Sequence, residues 1–397
     1  MALSKATSEC ELYWRKAKSE DNFIGLLPKF SVVVKLVQEK AQAKADAFSV
    51  SPYDALLDQY DPGTRVQDID PVFDDLTDFL PDFMDRVIEY QRTTEPLSPL
   101  EGPFPVIRQR ELSKRLMEIV GFPFDHGRLD ESHHPFSGGT PKDLRITTRY
   151  DESDFSSALM AVLHETGHAL YDYGLPELWR LQPVGEALGM SIHESQSLLI
   201  EMQVCRSPEF LQSIGPMIRE IFGRHDFALN EENLLRRYHR VEKSLIRVDA
   251  DEVTYPSHVI LRYFLEKKIV SGELRPADLP SAWREGMCKF VGVEPSDDRE
   301  GCLQDIHWYG GDFGYFPTYT LGAVCAAQFF EAAKRDDPKI LPGIASRDFG
   351  PLYNWLRLNV HCFGRLLPAS ALIHRATGKR LGTEAFKSHL NARYLGR

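Results

Sequence analysis

The chain has 397 residues, 43% hydrophobic and 26% charged, which is typical of a globular protein with a large core. Its formal net charge of −11 argues against general binding to nucleic acid or anionic membranes, because both favour lysine- and arginine-rich surfaces. The best apolar run, residues 319–330, is too short to span a bilayer, so we expect neither nucleic acid nor membrane as a partner.

The N-terminus and the cysteines indicate a cytoplasmic protein. Residues 1–21 are too polar and too acidic for a signal peptide. The six cysteines contain no C-x-x-C motif and are sparse for a disulfide framework. Reduced thiols in a cytosolic protein are the simpler interpretation.

Helical patterning dominates from the N-terminus onward. In residues 21–46, Phe30, Val33, Val34 and Val37 recur at helical spacing on one face. Similar patterns predict further helices at 71–93, 108–120, 153–173, 186–205, 232–248, 255–271, 279–291, 318–335 and 350–362.

One strand is predicted, at residues 143–150, directly before the helix 153–173. Leu144, Ile146 and Thr148 alternate there with polar residues, as on a half-buried strand. A loop rich in glycine and proline, residues 136–142, precedes it. Because no linker or internal repeat divides the chain, we expect a single, mainly α-helical body with a small β element.

The predicted helix 153–173 has clear ends and one unusual residue. Ser153 or Asp154 could cap its start, and Gly174 followed by Pro176 would end it. Gly167 lies inside the helix, where glycine costs about 1 kcal/mol relative to alanine. The missing side chain would admit either a substrate or a tightly crossing helix.

This helix contains the sequence HETGH at residues 164–168. His164 and His168 lie one turn apart on the same face and could hold one metal ion. Glu165 is offset from them and could take a proton from a water, as the glutamate of H-E-x-x-H zinc sites does. The same pentapeptide pattern also occurs in helices that bind nothing, so an ordinary polar helix is an alternative.

A catalytic zinc site needs a third protein ligand and one open position. Glu194, in the middle of the next predicted helix, is the best candidate, since an antiparallel return would let it face the histidines. Glu186 and Glu201 are rival ligands. Taken alone, Glu194 is better explained as a solvated glutamate.

At this point the chain resembles the carboxypeptidase Taq family of zinc metallocarboxypeptidases. The last matching block is long and rich in aromatic residues, which makes a chance match hard. The blocks, in the family's order, are HPF (134–136), DLRITT (143–148), HETGH (164–168), HESQS (193–197), IRVDADEVTY (246–255) and HWYGGDFGYFPTYTLGA (307–323).

The resemblance implies a mainly helical fold with a deep active-site groove beside a small β element. It implies that His164, His168 and Glu194 bind zinc, or sometimes cobalt, and that Glu165 is the general base. A zinc-bound water would then hydrolyse the C-terminal peptide bond of peptides. Members of the family are often homodimers.

The resemblance also implies one catalytic domain over residues 1–397. Family members usually carry a longer N-terminal helical region, which contributes to the groove wall or lid. We therefore expect the chain to lack that region, with consequences for closure and for the length of substrate.

Charge stabilisation of the reaction needs hydrogen-bond donors for a developing oxyanion. His307, Tyr315 and Tyr319 are candidates, on a loop whose glycines allow it to approach a ligand closely. Core packing with a hydroxyl partner is the alternative for either tyrosine.

A carboxypeptidase must also bind a terminal carboxylate, for which a fixed arginine is suited. Arg247, at the position that the family uses, is the first candidate, and Arg365 is the second. The alternative for Arg247 is a salt bridge within its own segment, to Asp249, Asp251 or Glu252.

The strand 143–150 could pair, as a sheet edge, with an extended substrate. Asp143 or Arg145 could bind substrate or order the zinc helix, although a structural role is equally consistent. His134 and His258 could lie near the groove or serve only in turns.

Two other functions fit the same residues. One is a metal-dependent dipeptidase or endopeptidase, which keeps the metal and changes the bond that is cleaved. The other is a catalytically silent protein that binds metal and peptide because its N-terminal region is short.

Overall fold

The computed structural model describes residues 1–132 and 135–396, so His134 lies outside the described residues. Within them, no helix is long and apolar enough to cross a membrane. The α-helices of the described residues are α1 (Ala2–Glu20), α2 (Phe23–Phe48), α3 (Pro52–Tyr60), α4 (Val66–Arg92), α5 (Val106–Val120), α6 (Phe155–Gly174), α7 (Met190–Leu198), α8 (Pro208–Phe222), α9 (Glu231–Tyr238), α10 (Tyr255–Ser271), α11 (Leu279–Phe290), α12 (Pro317–Asp336), α13 (Ile340–Ser346), α14 (Gly350–Asn359), α15 (Ala369–Thr377) and α16 (Glu384–Leu395).

Shorter elements complete the secondary structure. The strands are β1 (Gly127–Glu131), β2 (Phe136–Thr140) and β3 (Asp143–Thr148). A π-helical segment, Leu199–Cys205, continues α7 directly. Single-turn 3₁₀ helices lie at Glu177–Trp179, Pro183–Gly185, Phe227–Leu229, Arg247–Asp249, Pro276–Asp278 and His361–Phe363. The predicted fold class, mainly α with a small β element, is confirmed.

The chain forms two compact units, each built from two stretches of sequence. The first unit comprises Met1–Gln91 and Val241–Leu321, and the second comprises Arg92–Arg240 and Gly322–Arg397. The first contains α1–α3, nearly all of α4, α10 and α11, whereas the second contains the sheet, α5–α9 and α13–α16. The expectation of one catalytic domain over the whole length stays a prediction.

Most predicted helices are confirmed, and one was drawn too long. The predicted helix 255–271 coincides with α10, and the apolar face predicted in residues 21–46 is buried in α2. The predicted helix 232–248 is wrong beyond α9, which ends at Tyr238. After it, the backbone N–H of Val241 donates to the side-chain oxygen of Gln91 rather than to a helical carbonyl.

The sheet corrects two expectations about the region before α6. Its order is β1–β3–β2, with β1 parallel and β2 antiparallel to β3. The strand predicted as an edge is therefore the central one, and the idea that it pairs with substrate is wrong, because neighbours occupy both of its edges. The predicted loop 136–142 contains β2, whose glycines at 138 and 139 hid the strand pattern.

α6 is fixed by a core on one side and a cap at its start. Leu144 and Ile146 of β3 belong to the same buried cluster as Leu159 and Leu163 of α6. Burying each such side chain contributes roughly 1.5–3 kcal/mol. The carboxylate of Asp154 accepts the N–H of Ser156, as predicted for a cap, and Gly174 is the last helical residue. The sequence HETGH is thereby held in a rigid helix.

Candidate metal centre and catalytic residues

Three predicted ligands come together in the second unit. α6 presents His164 and His168, and α7 presents Glu194; one ligand atom from each lies within 4.8 Å of the others. The two imidazole centroids are 4.9 Å apart, and Nε2 of His168 is 3.5 Å from Oε2 of Glu194. Two imidazoles and one carboxylate form a donor set that fits a catalytic zinc site with an open position.

Two glycines let the surrounding helices come this close. A Cβ built on Gly167 of α6 would lie 2.6 Å from Cα of Ser197 and 2.7 Å from the carbonyl oxygen of Gln196. A Cβ built on Gly322 of α12 would lie 2.7 Å from Cγ of Glu194. Gly167 therefore serves a tight crossing of α6 with the segment that carries the third ligand.

Replacing Gly167 with alanine is expected to destabilise the protein by about 1–3 kcal/mol, because the backbone of the facing helix must move. Moving that helix also moves Glu194, so zinc affinity should fall. Thermal unfolding and chelator competition measure the two effects. Gly138→Ala is the matched control, since its Cβ would meet only ordinary contacts at 3.9 Å. Equal stability and zinc affinity in the two variants would contradict the interpretation.

The second nitrogen of each ligand histidine is also engaged. Nδ1 of His164 is 2.9 Å from Oε2 of Glu201, on the π-helical segment. Nδ1 of His168 is 2.6 Å from Nδ1 of His193. Glu201, a rival ligand in the sequence, thus contacts a ligand histidine through Nδ1 and is not among the three converging residues. The other rival, Glu186, is exposed and forms an ion pair with Arg365 at 3.0 Å.

Burial and charge act differently on the two imidazoles. Burial alone would lower the pKa of His164, but the hydrogen bond with Glu201 and the charge of Glu194 raise it to about 9. Burial lowers the pKa of His168 to about 4, and the charges of His193 and His164 lower it further, against the hydrogen bond with Glu194. Nearby positive charge helps to hold the pKa values of Glu194 and Glu201 below the usual range.

Glu165 lies beside this cluster with only 8% of its surface exposed. Burial raises the pKa of its carboxyl group, and the charges of Glu194 and Glu201 raise it further. A raised pKa brings a carboxylate closer to the value at which it can both accept and return a proton near neutral pH.

Arg247 belongs to a buried cluster in the first unit. Its Nε and Nη2 donate to Oδ1 of Asp305 at 3.1 and 2.7 Å, and its Nη1 donates to the hydroxyl of Tyr255 at 2.6 Å. Arg262 donates to the other oxygen of Asp305. The two guanidinium groups hold the pKa of Asp305 well below its usual range, against the effect of burial. The carboxylate that pairs with Arg247 is thus Asp305, which the sequence analysis did not name.

The predicted oxyanion donors lie around the same arginine. The hydroxyl of Tyr319 is 3.4 Å from Nε2 of His307, and its ring centroid is 5.3 Å from Cζ of Arg247. The rings of Tyr315 and Tyr319 pack edge to face at 5.2 Å. Burial and the nearby arginines lower the pKa of His307 to about 4, so its imidazole is neutral at pH 7.

The other predicted substrate-binding residues are placed differently. Asp143 and Arg145 form a bidentate ion pair at 2.9 Å on the exposed face of β3, opposite the face that packs on α6. Arg365 is exposed and donates to the carbonyl oxygen of Ala187. His258 is fully buried on α10 rather than in a turn.

The comparisons with known proteins agree on one family. A model of the family described as "Carboxypeptidase Taq (M32) metallopeptidase" matches residues 1–394. The chain belongs to this family. It is 39% identical to Thermostable carboxypeptidase 1 of Thermus thermophilus over 99% of this chain and 78% of that protein. It is 35% identical to Carboxypeptidase 1 of Bacillus subtilis over 98% of this chain and 77% of that protein.

A solved structure shows the same fold. Trypanosoma cruzi metallocarboxypeptidase 1 matches with a TM-score of 0.96 and 38% identity, covering 99% of this chain and 79% of that one. The chain is a metallocarboxypeptidase, and the resemblance drawn from the sequence is confirmed.

One buried carboxylate of this M32 carboxypeptidase was missed by the sequence analysis. Glu266 of α10 accepts hydrogen bonds from the hydroxyl of Tyr53 at 2.6 Å, Nε1 of Trp308 at 2.7 Å and the N–H of Gly314 at 3.1 Å. Burial raises its pKa to about 7. Because Trp308 and Gly314 belong to the glycine-rich loop that also carries His307, Glu266 fixes the course of that loop.

The ionisation of Glu266 should be visible in the pH dependence of stability. The pKa of Glu266 is about 7 in the folded protein, above the ordinary 4.5. Its contribution to the free energy of unfolding is therefore full below about pH 4.5 and is lost as pH rises through 7. Glu266→Gln cannot ionise and loses a hydrogen bond, so it should be less stable at pH 5. The difference in the free energy of unfolding between the variant and the wild type should narrow by on the order of 1–3 kcal/mol by pH 8. Denaturant unfolding at both pH values measures this difference. A constant or widening difference would refute the raised pKa of Glu266.

Proposed function

We propose that this metallocarboxypeptidase holds one zinc ion with His164, His168 and Glu194 and uses Glu165 as its general base. The observation that carries the proposal is the convergence of these three donors beside a buried glutamate. Zinc favours this combination of imidazole and carboxylate ligands with one open position. Cobalt accepts similar ligands and is the second choice.

The chemistry divides between the metal and the side chains. A bound zinc ion would lower the pKa of a water molecule and polarise the scissile carbonyl group. Glu165 would accept a proton from the attacking water and later donate it to the nitrogen of the leaving amino acid. Its burial supports this exchange, because it raises the pKa of the carboxyl group. His307, Tyr315 and Tyr319 are the proposed donors to the developing oxyanion.

Arg247 is the proposed anchor for the terminal carboxylate of the peptide. The cluster around it contains two guanidinium groups, of Arg247 and Arg262, against the single carboxylate of Asp305. In the ion pairs of Asp305, two positive charges therefore meet one negative charge in a buried environment. A peptide carboxylate has the charge and the planar geometry to bind there.

The remaining substrate contacts stay predictions. Arg365 keeps its place as the second candidate for the carboxylate, although it is exposed and paired with Glu186. Asp143 and Arg145 already satisfy each other, so a substrate would have to compete with that ion pair. We rank all three below Arg247.

From the family resemblance we also propose a cytoplasmic homodimer that acts on peptides. The described cysteines form no disulfide, which is consistent with a reducing compartment. Light scattering after size-exclusion chromatography gives the subunit number directly. A single-chain mass near 45.3 kDa would reject the dimer.

Peptide digestion tests the proposed function. N-blocked peptides of graded length should lose C-terminal residues one at a time, and the same sequences amidated at the C-terminus should resist. Internal cleavage of an amidated peptide would overturn the carboxypeptidase assignment in favour of an endopeptidase. Stoichiometric zinc without turnover of any peptide would favour the silent binding protein.

A further inference from the structure

We propose that Glu201 and His193 are positioning residues, each of which orients one ligand histidine and thereby sets the affinity for the metal. The inference rests on the proposed metal site at His164, His168 and Glu194. It adds two residues, neither of which touches the ion, and it predicts their effect on metal binding independently of catalysis.

Glu201 acts on His164. A carboxylate can only accept, so His164 must donate its Nδ1–H to Oε2 of Glu201 at 2.9 Å. That tautomer leaves the lone pair of Nε2 for the metal. The other oxygen of Glu201 accepts from Nη2 of Arg206 at 2.5 Å, which prevents the carboxylate from turning. With both oxygens engaged, Glu201 is excluded as a direct ligand in this arrangement.

His193 determines in a similar way which nitrogen of His168 carries the proton, and His193 is itself oriented by Asp172. Nε2 of His193 lies 3.2 Å from Oδ1 of Asp172, a carboxylate, so this nitrogen carries a proton. With its proton on Nε2, His193 offers the lone pair of Nδ1, and the 2.6 Å contact makes His168 the donor to it through Nδ1. His168 is left with a lone pair on Nε2, the nitrogen that lies 3.5 Å from Glu194.

Both positioning residues come from the stretch of chain that carries the third ligand, Glu194. His193 precedes Glu194 on α7, and its ring reaches across to two residues of α6, His168 and Asp172. Glu201 lies on the π-helical segment that follows α7. π-Helical turns are rare in proteins, and those that occur are often found at functional sites. The crossing of α6 with this segment therefore fixes two ligands' orientations and the position of the third.

The first test measures zinc affinity by chelator competition on the full-length apo protein. Glu201→Gln offers only one carbonyl for two donors, so it should weaken zinc binding by about 10–100-fold. Glu186→Gln is the matched control, because Glu186 is an exposed glutamate of the same unit that pairs with Arg365. The visible absorption of cobalt-loaded protein should change for Glu201→Gln and stay unchanged for the control.

The second test uses rescue at position 193. His193→Leu removes the acceptor for His168 and should weaken zinc binding by about 10–100-fold. In His193→Asn the side-chain oxygen can occupy the place of Nδ1, so binding should recover to within about threefold of the wild type. A purely structural role predicts no such difference, since both substitutions break the contact with Asp172.

Two results would overturn the inference. One is wild-type zinc affinity and an unchanged cobalt spectrum in folded Glu201→Gln. The other is equal affinity in His193→Leu and His193→Asn. Failure of the proposed function is distinguishable, because it would appear first as a wild-type protein that binds no zinc.

Discussion

Replacing Glu165 with glutamine is expected to lower kcat by about 10²–10⁴-fold while zinc stays bound with nearly wild-type affinity. The amide has the shape of the carboxylate but cannot take a proton from water or return one to the leaving amine. Glu165 is 8% exposed and is not among the three residues whose ligand atoms converge, so the metal site should survive the change. Release of C-terminal residues from an N-blocked peptide, measured alongside zinc content, separates the two effects.

The control for this prediction is Glu186→Gln, an identical change at an exposed glutamate that pairs with Arg365. It should leave kcat unchanged. Sequential release of C-terminal residues by Glu165→Gln at the wild-type rate would remove the general-base assignment. Loss of both zinc and activity would instead make Glu165 a part of the metal site.

Replacing Arg247 with alanine should lower kcat/KM for peptides with a free C-terminus by about 10²–10³-fold, as expected for one partner of a buried charge pair. The loss has a specific signature. The wild type should strongly prefer a free carboxylate over an amide, and the variant should lose most of that preference. Arg247→Lys keeps the charge without the planar fork and should recover only part of it.

Arg365→Ala separates the two candidate anchors. Arg365 is exposed, so its removal should leave the preference for a free carboxylate intact. A lost preference in Arg365→Ala together with a retained one in Arg247→Ala would reverse the assignment. Asp305 keeps its partner Arg262 in the Arg247 variant, so the cluster should still fold, which thermal unfolding checks.

The sequence predicted those features that depend on neighbouring residues. Helical spacing located α6 and α10, and the one-turn spacing of His164 and His168 predicted that both would point toward one ion. Helical spacing alone left Glu194 beside Glu186 and Glu201 as a candidate third ligand, and the family resemblance selected it. The long aromatic block also carried the family assignment, which the comparisons confirm.

Features that depend on distant contacts were missed. β2 was taken for a loop because glycines carry no hydrophobic pattern, and its pairing with β3 then made the supposed edge strand central. Asp305 was passed over as partner of Arg247 because it lies far along the chain, whereas nearer carboxylates stood within the same segment.

The role of Glu201 was hidden for a different reason. A 3.6-residue period gives no warning of a π-helical segment, and the contact with His164 arises within one. From the sequence, Glu201 competes with Glu194 as a ligand, since both are glutamates on one predicted helix. Only the positions of Arg206 and His164 show that both of its oxygens are already engaged.

Titration of the metal-free protein with zinc measures whether zinc held by His164, His168 and Glu194 is responsible for peptide hydrolysis. Zinc binding and release of a C-terminal residue from an N-blocked peptide would be followed in the same samples. We expect activity to be absent without metal, to rise in proportion to bound zinc and to saturate at one ion per chain. We expect Glu194→Ala to fall short of this endpoint at the same zinc concentration. Full activity in metal-free protein, or a Glu194→Ala titration that overlays the wild type, would contradict it.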